Sequence, residues 1–218
     1  MLTFIIIALT SFVSYRAFSN QSLVNKLIFY PPAVKRGEWY RLLSYGVLHA
    51  DYTHLIFNML TLFFFGTYIE RFLKTSLGET QGGIWYIALY ITALLVSILP
   101  TYAKQMHNHY YRGLGASGAV SAVVFAFILI NPMSFMGIMF IPIMLPAFLF
   151  GVIYVVLSIY LENKQAGNVN HSAHIAGGIY GMLFIVVLFA LSVDANILQH
   201  FIEQIKVSSW EDLIHIGY

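Results

Sequence analysis

Cysteine is absent from the 218-residue chain, and charged residues make up only 9% of it. Without cysteine there can be no disulfide, no thiolate nucleophile and no cysteine-bound zinc, so any nucleophile must be an oxygen or a nitrogen. The charged fraction lies far below the roughly 25% of an ordinary soluble domain. Because the net charge is only +2 and Lys and Arg are scattered singly, there is no basic stripe, and we expect no nucleic-acid partner.

Apolar sequence dominates instead: 59% of the residues are hydrophobic and the mean hydropathy is +0.76. Apolar runs recur at lengths near the ~20 residues that span a hydrocarbon core, and no basic segment precedes the first, which we expect to be a retained span. The predicted spans are about 2–19, 46–69, 83–102, 116–131, 138–160 and 173–191. The sequence therefore predicts an all-α, polytopic membrane protein, with one six-helix domain over residues 1–191 and a C-terminal tail over residues 192–218.

The second span carries His49, His54 and Asn58, and such polar groups are costly at membrane depth and by default indicate function. His54 and Asn58 point only about 40° apart around a helix at 100° per residue, and His49 lies about 140° from His54, nearer the helix entrance. His54 and Asn58 can both donate hydrogen bonds to an oxyanion. Alternatively, they join helices by interhelical hydrogen bonds.

A glycine-rich turn containing Gly115, Ser117 and Gly118 opens the fourth span. Such a turn leaves the first N–H groups of the helix unpaired and brings the positive end of the helix dipole beside the serine. An oxyanion there would be stabilised, so Ser117 is a candidate nucleophile. The alternative is that the glycines form a packing face and that Ser117 is an N-cap.

The sixth span begins with His174, followed by Gly177 and Gly181. The glycine spacing lets another helix backbone approach closely, and His174 lies one turn earlier on nearly the same face. If the start of span four packs there, His174 reaches Ser117 and can activate it. Neither span contains Asp or Glu, so we predict a Ser-His dyad with the polar pair of span two as oxyanion donors. A histidine on such a face can equally be a packing residue.

In order and spacing, these segments resemble the three signatures of the rhomboid intramembrane proteases: His49-x4-His54-x3-Asn58, Gly115-Ala116-Ser117-Gly118 and Ala173-His174-x2-Gly177-x3-Gly181. The stretch Arg36-Gly37-Glu38-Trp39-Tyr40-Arg41 also resembles that family's first-loop motif. The resemblance covers about residues 1–191. It implies a rhomboid-like bundle of six helices whose short fourth helix starts partway down a water-filled cavity.

The resemblance also implies roles for individual residues. Ser117 would be the nucleophile and His174 the base, with His54 and Asn58 as oxyanion donors. Supporting positions would be His49, Gly115 and Gly118 at the site, Gly177 and Gly181 in helix packing, and Trp39 and Arg41 as a first-loop scaffold. It implies no cofactor and no metal, single-span transmembrane substrates, contact with membrane lipid, and a bacterial inner membrane.

One position departs from the family pattern. Relatives often carry an aromatic residue one turn after the serine, stacked on the histidine, whereas this chain has Ser121. Tyr154 and Tyr180 are the nearest candidates to replace that contact. We also expect span five to be a mobile gate for substrate, because Pro142 and Pro146 each remove a backbone donor ahead of Phe148 and Phe150.

Three other functions compete with proteolysis: an inactive rhomboid-like protein that binds or escorts transmembrane helices, a transporter with a histidine proton relay, and a zinc protease. The first typically lacks the serine or the histidine, both of which are present. The second predicts intramembrane carboxylates or paired broken helices. The third predicts a His-Glu-x-x-His motif, which the chain lacks.

Two indications of membrane orientation conflict. Most Lys and Arg fall on the side of loops 20–44, 101–113 and 162–170, which the positive-inside rule places in the cytoplasm. The family resemblance implies the reverse. We expect the reverse, because several of these charges belong to a long first loop that also carries tryptophan and proline.

Overall fold

The computed structural model describes residues 1–137, 142–164, 169–193 and 195–216. Within them, four helices are long and apolar enough to cross a membrane: Tyr52–Leu77, Glu79–Gln105, Ala147–Lys164 and His171–Ser192. Two further apolar helices, Leu2–Phe18 and Ser117–Ile130, are shorter. The prediction of a mainly helical membrane protein is confirmed, and the count of six spans stays a prediction.

In chain order, the first half consists of α1 (Leu2–Phe18), three short loop helices and two long helices. The loop helices are α2 (Gln21–Leu27), α3 (Pro31–Lys35) and α4 (Arg41–Ser44). The long helix after them comprises α5 (Tyr52–Thr61), a π-helical turn (Leu62–Gly66) and α6 (Thr67–Leu77), and α7 (Glu79–Gln105) follows.

The second half is built from α8 (Ser117–Ile130), α9 (Ala147–Lys164), α10 (His171–Ser192) and the short α11 (Ile197–Gln204). Three strands, β1 (Phe135–Gly137), β2 (Ile143–Pro146) and β3 (His215–Ile216), form an antiparallel sheet in the order β1-β2-β3. The all-α prediction omitted this sheet. Span five was predicted from residue 138, but its helix begins at Ala147, directly after Pro146, and residues 138–141 lie outside the described part of the chain.

The second span was predicted at 46–69 and is displaced toward the C terminus. Asp51 sets its start, because its carboxylate accepts the His54 backbone N–H at 2.7 Å as an N-cap. The helix then continues past residue 69, its predicted end, to Leu77. The buried Glu70 carboxylate accepts the backbone N–H groups of Leu2 and Thr3 at 2.8 and 2.9 Å and so caps α1.

Close packing of α8 against α10 forms the centre of the molecule. A Cβ atom added at Gly177 would overlap the carbonyl oxygen of Gly118, and one added at Gly181 would overlap that of Ala122. The backbones of the two helices therefore touch, which only glycine at these positions permits. With 14 residues, α8 is about 21 Å long, shorter than the roughly 30 Å hydrocarbon core, so its first residue can lie at membrane depth.

The first loop is fastened by the buried Arg41. Its guanidinium donates to the backbone carbonyls of Asn25 and Ile28 at 2.9 and 2.8 Å and to the Glu38 carboxylate at 2.7 Å. That hydrogen bond is the main reason that the pKa of Glu38 lies below its usual value. Trp39 beside them is 65% exposed, as expected of an aromatic residue that anchors a loop at a membrane interface.

Candidate active site

Ser117 and His174 meet where the first turns of α8 and α10 come together. Ser117 is the first residue of α8, His174 lies in the first turn of α10, and Ser117 Oγ is 2.6 Å from His174 Nε2. The close glycine contact between the two helices brings these side chains into range. A hydrogen bond of this length between a hydroxyl and an imidazole is the geometry needed to activate a serine.

Gly115 allows the chain to turn into α8 beside this pair. Its φ of 115° lies in a region that L side chains rarely adopt, and an added Cβ would lie 2.8 Å from the His54 ring. Ala116, which precedes the helix, offers no side-chain cap. The first N–H groups of α8 therefore remain available to an oxyanion beside Ser117.

His54 and Asn58 line the same cavity as Ser117. The Asn58 amide donates to the His54 carbonyl at 2.9 Å, so one of its two N–H bonds is already used within the helix. The backbone N–H of Ala50 approaches His54 Nδ1 at 3.4 Å, an arrangement in which Nε2 carries the proton. Nε2 is also the nitrogen nearer to Gly115. Both side chains can thus present a donor to the cavity.

His49 supports His54 from behind. Its ring meets the His54 ring edge to face, with centroids 4.9 Å apart and planes inclined at 71°. His49 Nδ1 lies 2.9 Å from the hydroxyl of Ser14, which connects the site to α1. His49 is 4% exposed, so it packs against His54 from the protein interior.

A cavity of about 910 Å³ opens in front of the Ser117–His174 pair. Its lining includes the pair, the two donors of α5 and aromatic side chains such as Phe57, Phe65 and Phe150. Tyr111, from the loop before α8, also lines the cavity, and burial raises its pKa to about 12. The cavity can hold an extended apolar segment of peptide with a carbonyl beside the serine.

The contact expected from an aromatic residue at position 121 is made by Tyr154 of α9. Its ring stacks on the His174 ring with centroids 6.3 Å apart and planes inclined at 25°. The other candidate, Tyr180, instead donates to Thr92 Oγ1 at 2.6 Å. Sequence spacing alone could not distinguish the two tyrosines, because both lie on helices that were predicted to surround the site.

Asn170 is a site residue that the sequence predictions missed. Its side-chain oxygen caps α10, accepting the Ala173 backbone N–H at 3.1 Å and the Thr101 hydroxyl at 3.0 Å. Its amide donates to the Tyr111 hydroxyl at 3.3 Å. Asn170 thus holds the start of α10 against α7 and the loop before α8. An asparagine three residues before the predicted start of span six was the available signal.

The zinc alternative has no ligand set in the described part of the chain, where no group of three His, Asp or Glu residues could hold a metal ion. A further histidine, His171, meets His174 edge to face at 6.1 Å. With Nε2 directed at Ser117, His174 is better placed as a base than as a ligand.

Comparison with known proteins identifies the family. The family profile described as "Rhomboid domain" matches residues 36–191. "RHOMBOID-like protein 12, mitochondrial" of Arabidopsis thaliana is 30% identical over 174 residues, which are 76% of this chain and 51% of that protein. "Putative rhomboid protease YdcA" of Bacillus subtilis is 32% identical over 42% of this chain and 41% of its own length. "Rhomboid protease GluP" of the same organism is 32% identical over 40% of this chain and 15% of its own length. The chain thus spans about half the length, or less, of these relatives, and it belongs to the rhomboid family of integral membrane proteins.

Proposed function

We propose that the protein is an intramembrane serine endopeptidase in which Ser117 is the nucleophile and His174 the general base. The observation that carries the proposal is the 2.6 Å separation between Ser117 Oγ and His174 Nε2 at the wall of the cavity. Rhomboid proteins act on membrane-protein substrates, and two relatives are named as proteases, which agrees with this assignment.

The chemistry follows from that geometry. His174 Nε2 takes the hydroxyl proton as Ser117 Oγ bonds to the substrate carbonyl carbon, which gives a tetrahedral oxyanion. The Ser117 backbone N–H, His54 and Asn58 donate to the oxyanion. When the C–N bond breaks, His174 passes its proton to the leaving amine and an ester remains on Ser117. Water, deprotonated by His174, then attacks the ester carbon; the bond to Ser117 Oγ breaks, His174 returns the proton to that oxygen, and the new carboxyl end of the substrate leaves.

The substrates in this proposal are single-span membrane proteins. A backbone fully paired in a helix cannot present its carbonyl to a serine, so the substrate must unwind near the cut. Gly, Ala or Ser close to the scissile bond would favour unwinding. The substrate enters from the lipid past α9, whose outer face is apolar and exposed.

We place the protein in a bacterial inner membrane, in line with its two bacterial relatives, with Ser117 opening away from the cytoplasm. The catalytic domain covers residues 1–191, and Ile197 of the tail packs as a buried side chain beyond it. Trp39 and Arg41 act as scaffold residues of the first loop.

A fluorophosphonate probe tests the proposal, because phosphonylation needs both removal of the serine proton and a stabilised oxyanion. Wild-type protein in lipid should label and should cleave a test transmembrane substrate. Ser117→Ala should abolish both activities, and His174→Ala should reduce both nearly as far. The control is Ser192→Ala, which removes an exposed hydroxyl at the far end of α10 and should change neither.

The alternative function is a catalytically inactive protein that binds or escorts transmembrane helices. Such a protein would bind the test substrate but would neither label nor cleave. Wild-type protein that fails in both assays with helix-destabilised substrates would overturn the protease assignment in favour of this binder. Activity that persists in Ser117→Ala but disappears with a chelator would point to metal chemistry instead.

A further inference from the structure

Tyr154 is the aromatic side chain that faces the base, and it comes from α9, a helix that carries neither member of the dyad. Its ring lies against His174 at 6.3 Å and 25°, and its hydroxyl is 3.4 Å from Ser121 Oγ on α8. Phe125 lies tilted against the tyrosine ring with centroids 5.8 Å apart, and Phe150 stacks on it with centroids 6.5 Å apart. Tyr154 therefore fills the space between α8, α9 and the face of the imidazole.

The His174 ring has few other constraints on its orientation. Nε2 is hydrogen-bonded to Ser117, but within the described ranges no group hydrogen-bonds Nδ1, and no carboxylate stands behind the ring. In a serine triad, the third residue fixes the ring in its productive orientation. Here the remaining contacts are the Tyr154 face and the edge of His171. A stacked aromatic face restricts ring rotation where no hydrogen bond does so.

The helix that carries Tyr154 is loosely held. Only three of the 18 residues of α9 are buried: Ala147, Gly151 and Ser158. Its outer face is largely exposed, with Val156 and Tyr160 at 61% and 57%. Elements with little buried surface are the ones that move at low free-energy cost. By contrast, His174 itself belongs to α10, whose glycines fix it against α8.

From these contacts we infer that Tyr154 is a positioning residue for His174, and that the dyad is correctly arranged only when α9 lies against the bundle. This inference rests on the proposed function. A substrate helix that displaces α9 withdraws Tyr154 from the imidazole, and the base regains its orientation when α9 returns over the bound peptide. Substrate admission and catalytic competence are thereby coupled through one side chain.

The test compares single substitutions on α9 in the full-length protein in lipid. Tyr154→Ala should lower kcat for cleavage on the order of 10–100-fold, since misplacing a catalytic group by about 1 Å costs that much, with KM changed much less. Tyr154→Phe keeps the ring and should keep kcat. Tyr160→Ala is the matched control, because it removes the same side chain from the exposed face of the same helix. Melting temperatures in detergent accompany each measurement.

A second variant separates positioning from folding. Ser121 lies within 3.4 Å of the Tyr154 hydroxyl, one turn after Ser117, so a ring at position 121 can enter the space that Tyr154→Ala vacates. The double variant Ser121→Tyr/Tyr154→Ala should recover kcat, now from a helix that does not move with the gate. A tyrosine needed only for packing would not be replaceable in this way from another helix.

Each outcome decides one question. The inference fails if Tyr154→Ala keeps the wild-type kcat, or if its loss parallels a fall in melting temperature and the double variant and Tyr154→Phe recover nothing. Wild-type protein that neither labels nor cleaves would instead defeat the proposed function. An active wild type with Tyr154→Ala indistinguishable from Tyr160→Ala defeats the positioning role alone.

Discussion

The contacts of α10 with α8 and those of α9 with the bundle are opposite solutions to helix packing. Between α8 and α10, glycines remove side chains from the interface, and a single methyl group at Gly177 would strike backbone. Along α9, three buried residues out of 18 hold the helix, and most of its apolar surface faces outward. The first interface is rigid because it has no spare volume, and the second is easily separated.

This contrast matches the tasks proposed for the two interfaces. A nucleophile and its base must keep their geometry to within about 0.5 Å, which close backbone packing can supply. A substrate helix must enter sideways from lipid, and a lightly buried helix can give way at small cost. The glycine interface carries both dyad residues, whereas α9 carries aromatic side chains that reach the cavity from the movable side.

The largest expected effect comes from filling the rigid interface. Gly177→Ala places a methyl group against the Gly118 carbonyl, which cannot move without shifting the first turn of α8 and Ser117 with it. We expect a loss of stability of about 1–3 kcal/mol and loss of most cleavage activity. The control is Gly83→Ala on α7, where the nearest atom is the flexible tip of Leu2 at 3.3 Å. The readouts are the thermal unfolding temperature in detergent and the cleavage rate. Equal losses in Gly177→Ala and Gly83→Ala would show that the α8–α10 interface is not unusually rigid.

A smaller effect is expected in the first loop, which holds the bundle on the side of α1. Arg41→Ala leaves the carbonyls of Asn25 and Ile28 without their donor, and because only the Ile28 hydrogen bond is fully buried we expect a cost of about 1–3 kcal/mol in all. Melting temperature in detergent should fall, and activity should fall only as the fold is lost. Arg36→Ala, which removes an exposed guanidinium five residues earlier, is the control. A fully stable but inactive Arg41→Ala protein would make Arg41 part of the chemistry.

The sequence predicted the rigid interface better than the movable one. Glycine spacing beside His174, and the glycine turn before Ser117, are local patterns with one physical explanation, close helix approach. The sheet at the base of α9 was missed because β2 lies in the apolar run that was predicted as helix from residue 138, and because its second partner, β3, lies far away in the tail. A continuous apolar run hides where a helix begins, and here Pro146 ends the strand and Ala147 begins the helix.

Other misses arise from tertiary context that spacing does not contain. Span two was predicted to end at residue 69, yet the helix continues to Leu77, and the Glu70 carboxylate is satisfied by the N terminus of a helix 67 and 68 residues away in sequence. The sequence narrowed the stacking partner of His174 to Tyr154 and Tyr180 but could not distinguish between these two. The choice depends on how α9 is rotated about its axis, and the apolar surface of that helix is too uniform to reveal this rotation.

The smallest expected effect tests the movable interface directly. Phe148 lies in the first turn of α9 and does not line the cavity, whereas Phe150 lines it and also stacks on Tyr154. Phe148 is half-buried, so Phe148→Ala removes apolar surface from α9, and we expect α9 to separate more easily and kcat/KM for a transmembrane substrate to stay the same or rise a few-fold. Phe150→Ala should also let α9 separate more easily, but it removes the ring that stacks on Tyr154, so any rise in kcat/KM should be smaller than in Phe148→Ala. The control, Phe12→Ala, removes a 62% exposed ring from α1. A loss in Phe148→Ala comparable with that of Ser117→Ala would mean that α9 is a structural wall, and the contrast between the two interfaces would not describe how substrate enters.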